Sequence, residues 1–231
     1  MRVDIITIFP EAFAPLEISI IGRARAAGSL DLKVHDLRDY TLDRHRKVDD
    51  KPFGGGVGMV MMVEPFARAL EAIKARNRGA RTILCTPAGA VFDQCRAREM
   101  ANEDGLIFLC GHYEDIDERV SALCDTRVSI GNFVLTGGEL AAMVVIDAVT
   151  RLLPGVLPPG AAEDDSFREN LLDWPHYTRP AVWRGLAVPE TLLSGNHRKI
   201  AEWRRAAAEE RTRRYRPDLW RRHRRVADGK K

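Results

Sequence analysis

Residues 106–114 read LIFLCGHYE. Five consecutive apolar residues stop at a glycine and give way to His112, Tyr113 and Glu114. A short run that is apolar without alternation, and bounded by glycine, suits a strand covered on both faces, as in a parallel sheet. Polar and aromatic groups just past such a strand stand where open α/β sheets bind ligands, beyond the carboxyl ends of the strands. The pattern recurs on either side. Residues 82–85 read as a strand that opens into TPAG at 86–89, with Pro87 and Gly89 read as its stop, and the strand at 127–130 opens into the loop GNFVLTGG at 131–138.

Working outward, residues 3–9 are a β-branched run ending at Pro10, and 32–37 read as a second strand. Helical spacing is predicted over 16–27, with Gly28 placed to end it, and over 64–75, 93–102, 116–123 and 138–153, with Asp93 a good N-cap. Residues 43–62 are polar, then glycine-rich, and read as one long loop. Strands alternating with helices predict an α/β fold with a mostly parallel sheet covered on both faces. Residues 156–165 are rich in proline, glycine and acid and read as a linker. Beyond it arginine dominates, all four tryptophans occur (Trp174, Trp183, Trp203 and Trp220), and 202–216 is a charged helix candidate.

The 231 residues correspond to about one and a half domains of typical size. With 45% hydrophobic and 30% charged residues, the composition argues against wholesale disorder, a fibrous protein or a membrane protein. The net charge of +3 hides a split: residues 197–231 hold 14 Lys/Arg against 5 Asp/Glu, so the rest of the chain is net negative. Such asymmetry fits a basic segment serving a polyanion, or a solvated helical tail. Cys85, Cys95, Cys110 and Cys124 have no metal or CxxC spacing, and Cys85 and Cys110 sit in apolar runs as core residues. No run approaches the ~18 apolar residues of a membrane span, and the amino terminus lacks a signal-peptide pattern. A reducing cytoplasm is the expected compartment.

Several constellations have two readings. GGGVGM at 54–59 ends in neither GK[ST] nor a GxGxxG pattern, so it is a close-approach glycine loop or a mobile one. DRHRKVDD at 43–50 suits contact with phosphates and base edges, or solvation. AEDDSF at 162–167 offers a general base, or a hydrated linker. Arginines interleaved with tryptophan and tyrosine after residue 171 suit phosphate contact and base stacking, without a zinc finger, KH or RRM signature. A nucleotide hydrolase with a basic tail lacks its P-loop here.

IFPEAF (8–13), KPFGGGVGM (51–59), TPAG (86–89), CGHYEDIDERV (110–120), SIGNFVLTGGEL (129–140), EDDSF (163–167), LLDWPHYTRP (171–180) and LLSGNH (192–197) occur in this order. Together they resemble the bacterial tRNA (guanine-N1) methyltransferase family, TrmD, of the SPOUT class, over nearly the whole chain. The chain departs from the family's common pattern at Val57, at His112 and Asp115, and at Asn132 and Phe133.

The resemblance implies a SPOUT-type mostly parallel sheet with a deep trefoil knot, plus a small, mainly helical C-terminal domain. Periodicity gives no sign of a knot, and general topology rules argue against one. The implied division is a methyl-donor domain at 1–157, a flexible linker at 158–170 and a tRNA-binding domain at 171–231. The implied reaction moves a methyl group from S-adenosylmethionine to N1 of the guanine immediately 3′ of the tRNA anticodon. Magnesium is implied as a further cofactor, with no evident metal cage. The implied partners are tRNA and a second copy of the chain, with the active site at the dimer interface, and no membrane. The donor loops map to Leu84, Cys85, Thr86, Pro87 and Gly89, to Gly111, Tyr113 and Glu114, and to Ile130, Gly131, Asn132, Phe133, Val134, Leu135, Gly137 and Gly138. Asp165 is implied as the base and Arg151 as the cation facing O6. Contacts to tRNA map to Arg46, Asp50, Gly55, Ser166, His176, Tyr177, Arg179, Asn196 and His197.

Overall fold

The apolar run at 106–110 is buried at every position and forms an inner strand of a parallel sheet. The computed structural model describes residues 1–158, 160, 165–227 and 229. The chain divides into two compact units, Met1–Pro158 and Pro159–Lys231.

The first unit begins with β1 (Arg2–Thr7), a 3-10 helix at Pro10–Glu17, α1 (Ser19–Ala26) and β2 (Asp31–Asp36). Short strands β3 (Asp49–Asp50) and β4 (Val60–Met61) precede α2 (Val63–Lys74). Then come β5 (Arg81–Val91), α3 (Gln94–Ala101), β6 (Gly105–Cys110), β7 (Asp115–Ile116), a 3-10 helix at Glu118–Leu123, β8 (Thr126–Ser129) and α4 (Glu139–Thr150). Five strands form the central sheet in the order β2-β1-β6-β5-β8, every neighbouring pair parallel.

Strand alternation sends side chains to two separate cores. Val3, Ile5, Ile83, Leu106 and Phe108 pack with Ile21 of α1, Met100 of α3 and Val145 and Val149 of α4. Ile6, Leu84, Ile107 and Leu109 pack with Phe66, Leu70 and Ile73 of α2 and with Val120. Helical elements therefore cover both faces, as the alternation of elements predicts. Cys85 and Cys110 are core residues, also as expected.

Four boundaries differ from the sequence reading. The strand expected to stop at Pro87 continues to Val91, because Cys85 and Ala90 both pair with Val128 and the intervening residues bulge out. Proline is tolerated inside a strand at such a bulge. The helix expected over 16–27 is broken: Ile18 is extended and Ser19 has a positive φ of 57°, so a 3-10 turn with Pro15 inside it precedes α1. The helix expected over 116–123 is a strand residue pair followed by a 3-10 turn capped by Asp117. The long loop at 43–62 contains β3 and β4, antiparallel to each other, with β4 parallel to β7.

The second unit contains a 3-10 turn at Arg168–Asn170, the two-residue strands β9 (Val182–Trp183) and β10 (Leu186–Ala187), and helices α5 (Glu190–Leu193), α6 (His197–Tyr215) and α7 (Pro217–Ala227). The predicted helix at 202–216 starts earlier because the Asn196 side chain caps it, accepting from Lys199 N–H at 3.1 Å. It ends where Pro217, which cannot continue the hydrogen-bond ladder, opens α7 instead. Thr212, fully buried on α6, donates to the Ala208 carbonyl and accepts from Leu172 N–H at 2.8 Å. His223 on α7 bonds the Glu169 carbonyl at 2.8 Å through Nδ1. The segment before the helices is thus fastened to both of them.

Candidate functional site

The loops after β6 and β8 and the bulge of β5 converge on one cleft at the carboxyl ends of the parallel strands. It is lined by Cys85, Thr86 and Pro87, by residues 111–115, by Val128, Ser129, Ile130, Gly131, Phe133, Val134, Leu135, Thr136, Gly137 and Gly138, and by Ala141. Leu84 is buried in the core behind it, and Gly89 and Asn132 stay outside its lining. Six lining residues are absent from the expected donor set: His112 and Thr136 in the loops, Asp115 at the start of β7, Val128 and Ser129 at the end of β8, and Ala141 on α4. His112 was marked by its place just past the strand at 106–110, whereas the other five carry no sequence signal separating a lining position from a neighbouring one.

Close packing explains the glycines. A Cβ at Gly138 would lie 2.9 Å from the Cys110 Cα and 3.1 Å from the Gly111 nitrogen, both backbone. A Cβ at Gly89 would run into the backbone of Arg127 and Val128. The Gly138 amide donates to the Gly111 carbonyl at 2.8 Å, and His112 bridges Gly137, which stitches the loop after β8 to the loop after β6.

Burial pushes the Cys110 thiol well above its ordinary value, and contact with Cys85 adds to this, so Cys110 is not available as a thiolate. The acid Glu139 is buried at the start of α4 and accepts from Thr7 Oγ1 at 2.8 Å.

Tyr113 also borders a second cavity, of about 350 Å³, whose wall includes Arg38, His45, Arg46 and Lys47. Arg46, with a positive φ of 58°, pairs with Asp39 and lies 3.7 Å from Asp36. Asp50 is exposed and pairs with Lys47 at 3.0 Å; the Lys51 backbone N–H, first, and then Lys47 hold its carboxyl below the usual range. Gly55 is exposed in the glycine loop with φ 77°.

Arg151 caps the carboxyl end of α4 in the first unit, and Asp165 belongs to the second. Asp164 and the rest of 161–164 lie outside the described residues. Asp165 lines a cavity of about 400 Å³ with Leu172, Trp174, Arg204 and Arg205. The Arg204 guanidinium sits 4.7 Å from the centre of the Trp174 ring, a cation–π contact. Ser166 Oγ accepts from the Asp173 amide at 3.0 Å, and His176 bonds Asp173 at 2.6 Å. Tyr177 is exposed with its ring 6.3 Å from that of Trp203, and Arg179 is exposed. Asn196 and His197 form the amino end of α6. Among the described residues no group of three His, Cys, Asp or Glu side chains comes together in a way that could hold a metal ion. No described helix is long and apolar enough to cross a membrane.

A family model described as "tRNA (Guanine-1)-methyltransferase TrmD" matches residues 1–222. The chain is 59% identical over 222 residues to a tRNA (guanine-N(1)-)-methyltransferase of Geobacter sulfurreducens, covering 95% of this chain and 91% of that one. It is 56% identical to the protein of the same name from Moorella thermoacetica, covering 95% and 90%, and 55% identical to that from Chloroflexus aggregans, covering 95% and 87%.

Proposed function

Because the chain belongs to the tRNA (guanine-1)-methyltransferase family, we propose that it transfers a methyl group from S-adenosylmethionine to N1 of the guanine immediately 3′ of the tRNA anticodon. The observation that carries this reading is the meeting of three glycine-containing segments in one cleft at the carboxyl ends of parallel strands. Backbone could approach a ligand closely there, because Gly111, Gly137 and Gly138 present no side chain. S-adenosylmethionine, when bound, supplies a methyl group already activated on a sulfonium.

The protein's own part is then proton management and alignment. Guanine N1 bears a proton at neutral pH and is a poor nucleophile until it is removed. The Asp165 carboxylate takes that proton. Charge moves towards O6, where the Arg151 guanidinium stabilises it. Holding methyl carbon and N1 in line supplies much of the remaining acceleration. The base must leave its stack to be reached, and Arg46, Asp50, Gly55, Ser166, His176, Tyr177, Arg179, Asn196 and His197 are the residues that hold the tRNA around it.

In the same reading, residues 171–231 are a helical tRNA-binding domain, joined by a linker at 158–170 to the donor domain at 1–157. The basic α6 and α7 support this, since exposed arginines suit phosphates. A trefoil knot in the donor domain is supported by the return of the chain after β8, through the Gly138–Gly111 hydrogen bond, across the ends of β5 and β6. A homodimer with the active site at its interface is supported by Leu140 and Val144, exposed apolar neighbours one turn apart on α4. Magnesium has no candidate cage among the described residues, and no step is assigned to it.

The test is incubation with methyl-labelled donor and a tRNA transcript, followed by mapping of the modified base. Label on N1 of the guanine 3′ of the anticodon is expected. Label on another base, or none, overturns the reading.

A further inference from the structure

His112 lines the cleft, yet its Nδ1 is buried and has no hydrogen-bond partner. The ring is gripped edge-on by Phe9, at 4.7 Å between centroids, and by Tyr113, at 5.2 Å. Its backbone N–H is engaged by Met61 Sδ at 3.1 Å, which fixes the residue from the β4 side. Nδ1 faces Glu139 Oε2 at 3.9 Å, too long for a hydrogen bond and short enough for a strong electrostatic interaction where water is scarce. Glu139 is itself only 7% exposed and is held from its other oxygen by Thr7 Oγ1. It stands in the first turn of α4. A buried carboxylate in this setting gains from a cationic partner.

No lysine or arginine lines the cleft among the described residues, and two further lining groups are the acids Glu114 and Asp115. His112 is the one lining side chain there that can become positive. An amino-acid carboxylate entering the cleft would be stabilised by such a cation. We propose that His112, as an imidazolium counterbalanced by Glu139, anchors the carboxylate of the methyl donor's amino-acid end and so determines donor specificity. The inference rests on the donor reading given above. In the charged ring both nitrogens donate. Nδ1, unpartnered in the free protein, closes on Glu139, and Nε2 donates to the carboxylate of the ligand. The proton comes from solvent, and no covalent bond changes.

The test is calorimetric titration of the full chain, unaltered and as His112→Asn, with S-adenosylmethionine and with its decarboxylated analogue. The unaltered protein is expected to prefer the donor over the analogue. His112→Asn is expected to weaken donor binding about tenfold or more, the scale of a charge-assisted hydrogen bond, and to leave analogue binding unchanged. Should His112→Asn fail to fold, Glu139→Gln, which keeps an acceptor for Thr7, carries the same comparison. Equal losses for both ligands, or no loss for either, overturn the proposal. Failure of the unaltered protein to bind either ligand overturns the donor reading and this inference with it, an outcome distinct from binding that ignores residue 112.

Discussion

The amide of Gly138 donates to the carbonyl of Gly111 across 2.8 Å, tying the last glycine of one loop to the first of another at the edge of the cleft. The two loops can lie this close because position 138 has no side chain. A methyl group there would sit 2.9 Å from the Cys110 Cα and 3.2 Å from the Cys85 Cβ. Neither backbone nor the β-carbon of a core residue can swing aside. Gly138→Ala is therefore expected to cost about 1–3 kcal/mol of stability, the usual cost of overpacking, and to abolish measurable donor binding by distorting the cleft. Thermal melting and donor titration measure the two effects. An alanine variant that melts and binds like the parent would show that the loops have slack.

Asp165→Ala is expected to lower turnover on tRNA by about 10²–10⁴-fold, the range for loss of a general base. Donor affinity should be nearly unchanged, because Asp165 is not among the residues lining the donor cleft. Arg151→Ala should fail in the same way, in turnover more than in donor binding. Single-turnover rates paired with calorimetry separate these effects. Near-normal turnover in Asp165→Ala would remove the base assignment.

Binding of tRNA is expected to weaken steeply with salt, since each phosphate that the protein neutralises releases counterions. Arg221, Arg222 and Arg225 on α7 are exposed and are candidates for this role. Replacing each by alanine should reduce the slope of log affinity against log salt by about 1 for every phosphate no longer neutralised. Filter binding at several salt concentrations reads this directly. Affinity that ignores salt would deny the basic helices their role.

Much of the sheet was legible because fully covered parallel strands need apolar residues on both faces. The run at 106–110 is such a strand, and Asp93 caps α3 as its chemistry suggests, accepting from Arg96 N–H at 3.0 Å. What was not legible depends on pairing rather than composition. Asp49 and Asp50 form a strand only because Val60 and Met61 lie opposite them. Pro87 did not end β5 because the bulge frees that position from the ladder. That the glycine-containing loops would gather beyond the strand ends was legible from their place after strands. The buried state of Glu139 was not, since an acid at a helix start reads equally well as an exposed favourable charge. The partnerless Nδ1 of His112 follows from that burial and was hidden with it.

Asp4, fully buried on β1, links pH to stability. Burial pushes its carboxyl up, but hydrogen bonds from His35, Arg2 and Asn77 together outweigh burial and hold it down at about 2. A folded value below the ordinary carboxylate value of about 3.9 means that the unfolded chain binds the proton more readily. The stabilisation is therefore complete above that ordinary value and is lost as pH falls through the folded value. Asp4→Asn should destabilise the protein by about 2 kcal/mol at neutral pH, with the gap to the parent narrowing between about pH 4 and pH 2. Urea melts of both proteins across that range test it. A gap that stays constant would show that packing, not charge, sets the cost.

Thr212 tests how the second unit is held together. Its hydroxyl donates to Ala208 O at 2.7 Å and accepts from Leu172 N–H at 2.8 Å, so one buried oxygen joins α6 to the extended segment before it. Thr212→Val preserves shape and leaves the Leu172 amide without this acceptor. Leu172 is only partly buried, so leaving its amide unsatisfied costs about 1 kcal/mol, the low end of the range for a buried donor. The loss should appear locally, as faster hydrogen exchange at the Leu172 amide. Donor binding should be unchanged, because neither residue lines the donor cleft. Since Asp173 and Trp174 follow directly in the chain, tRNA affinity should weaken along with that local protection. Retained tRNA affinity despite rapid exchange at Leu172 would show that the segment need not be fixed in advance to receive the RNA.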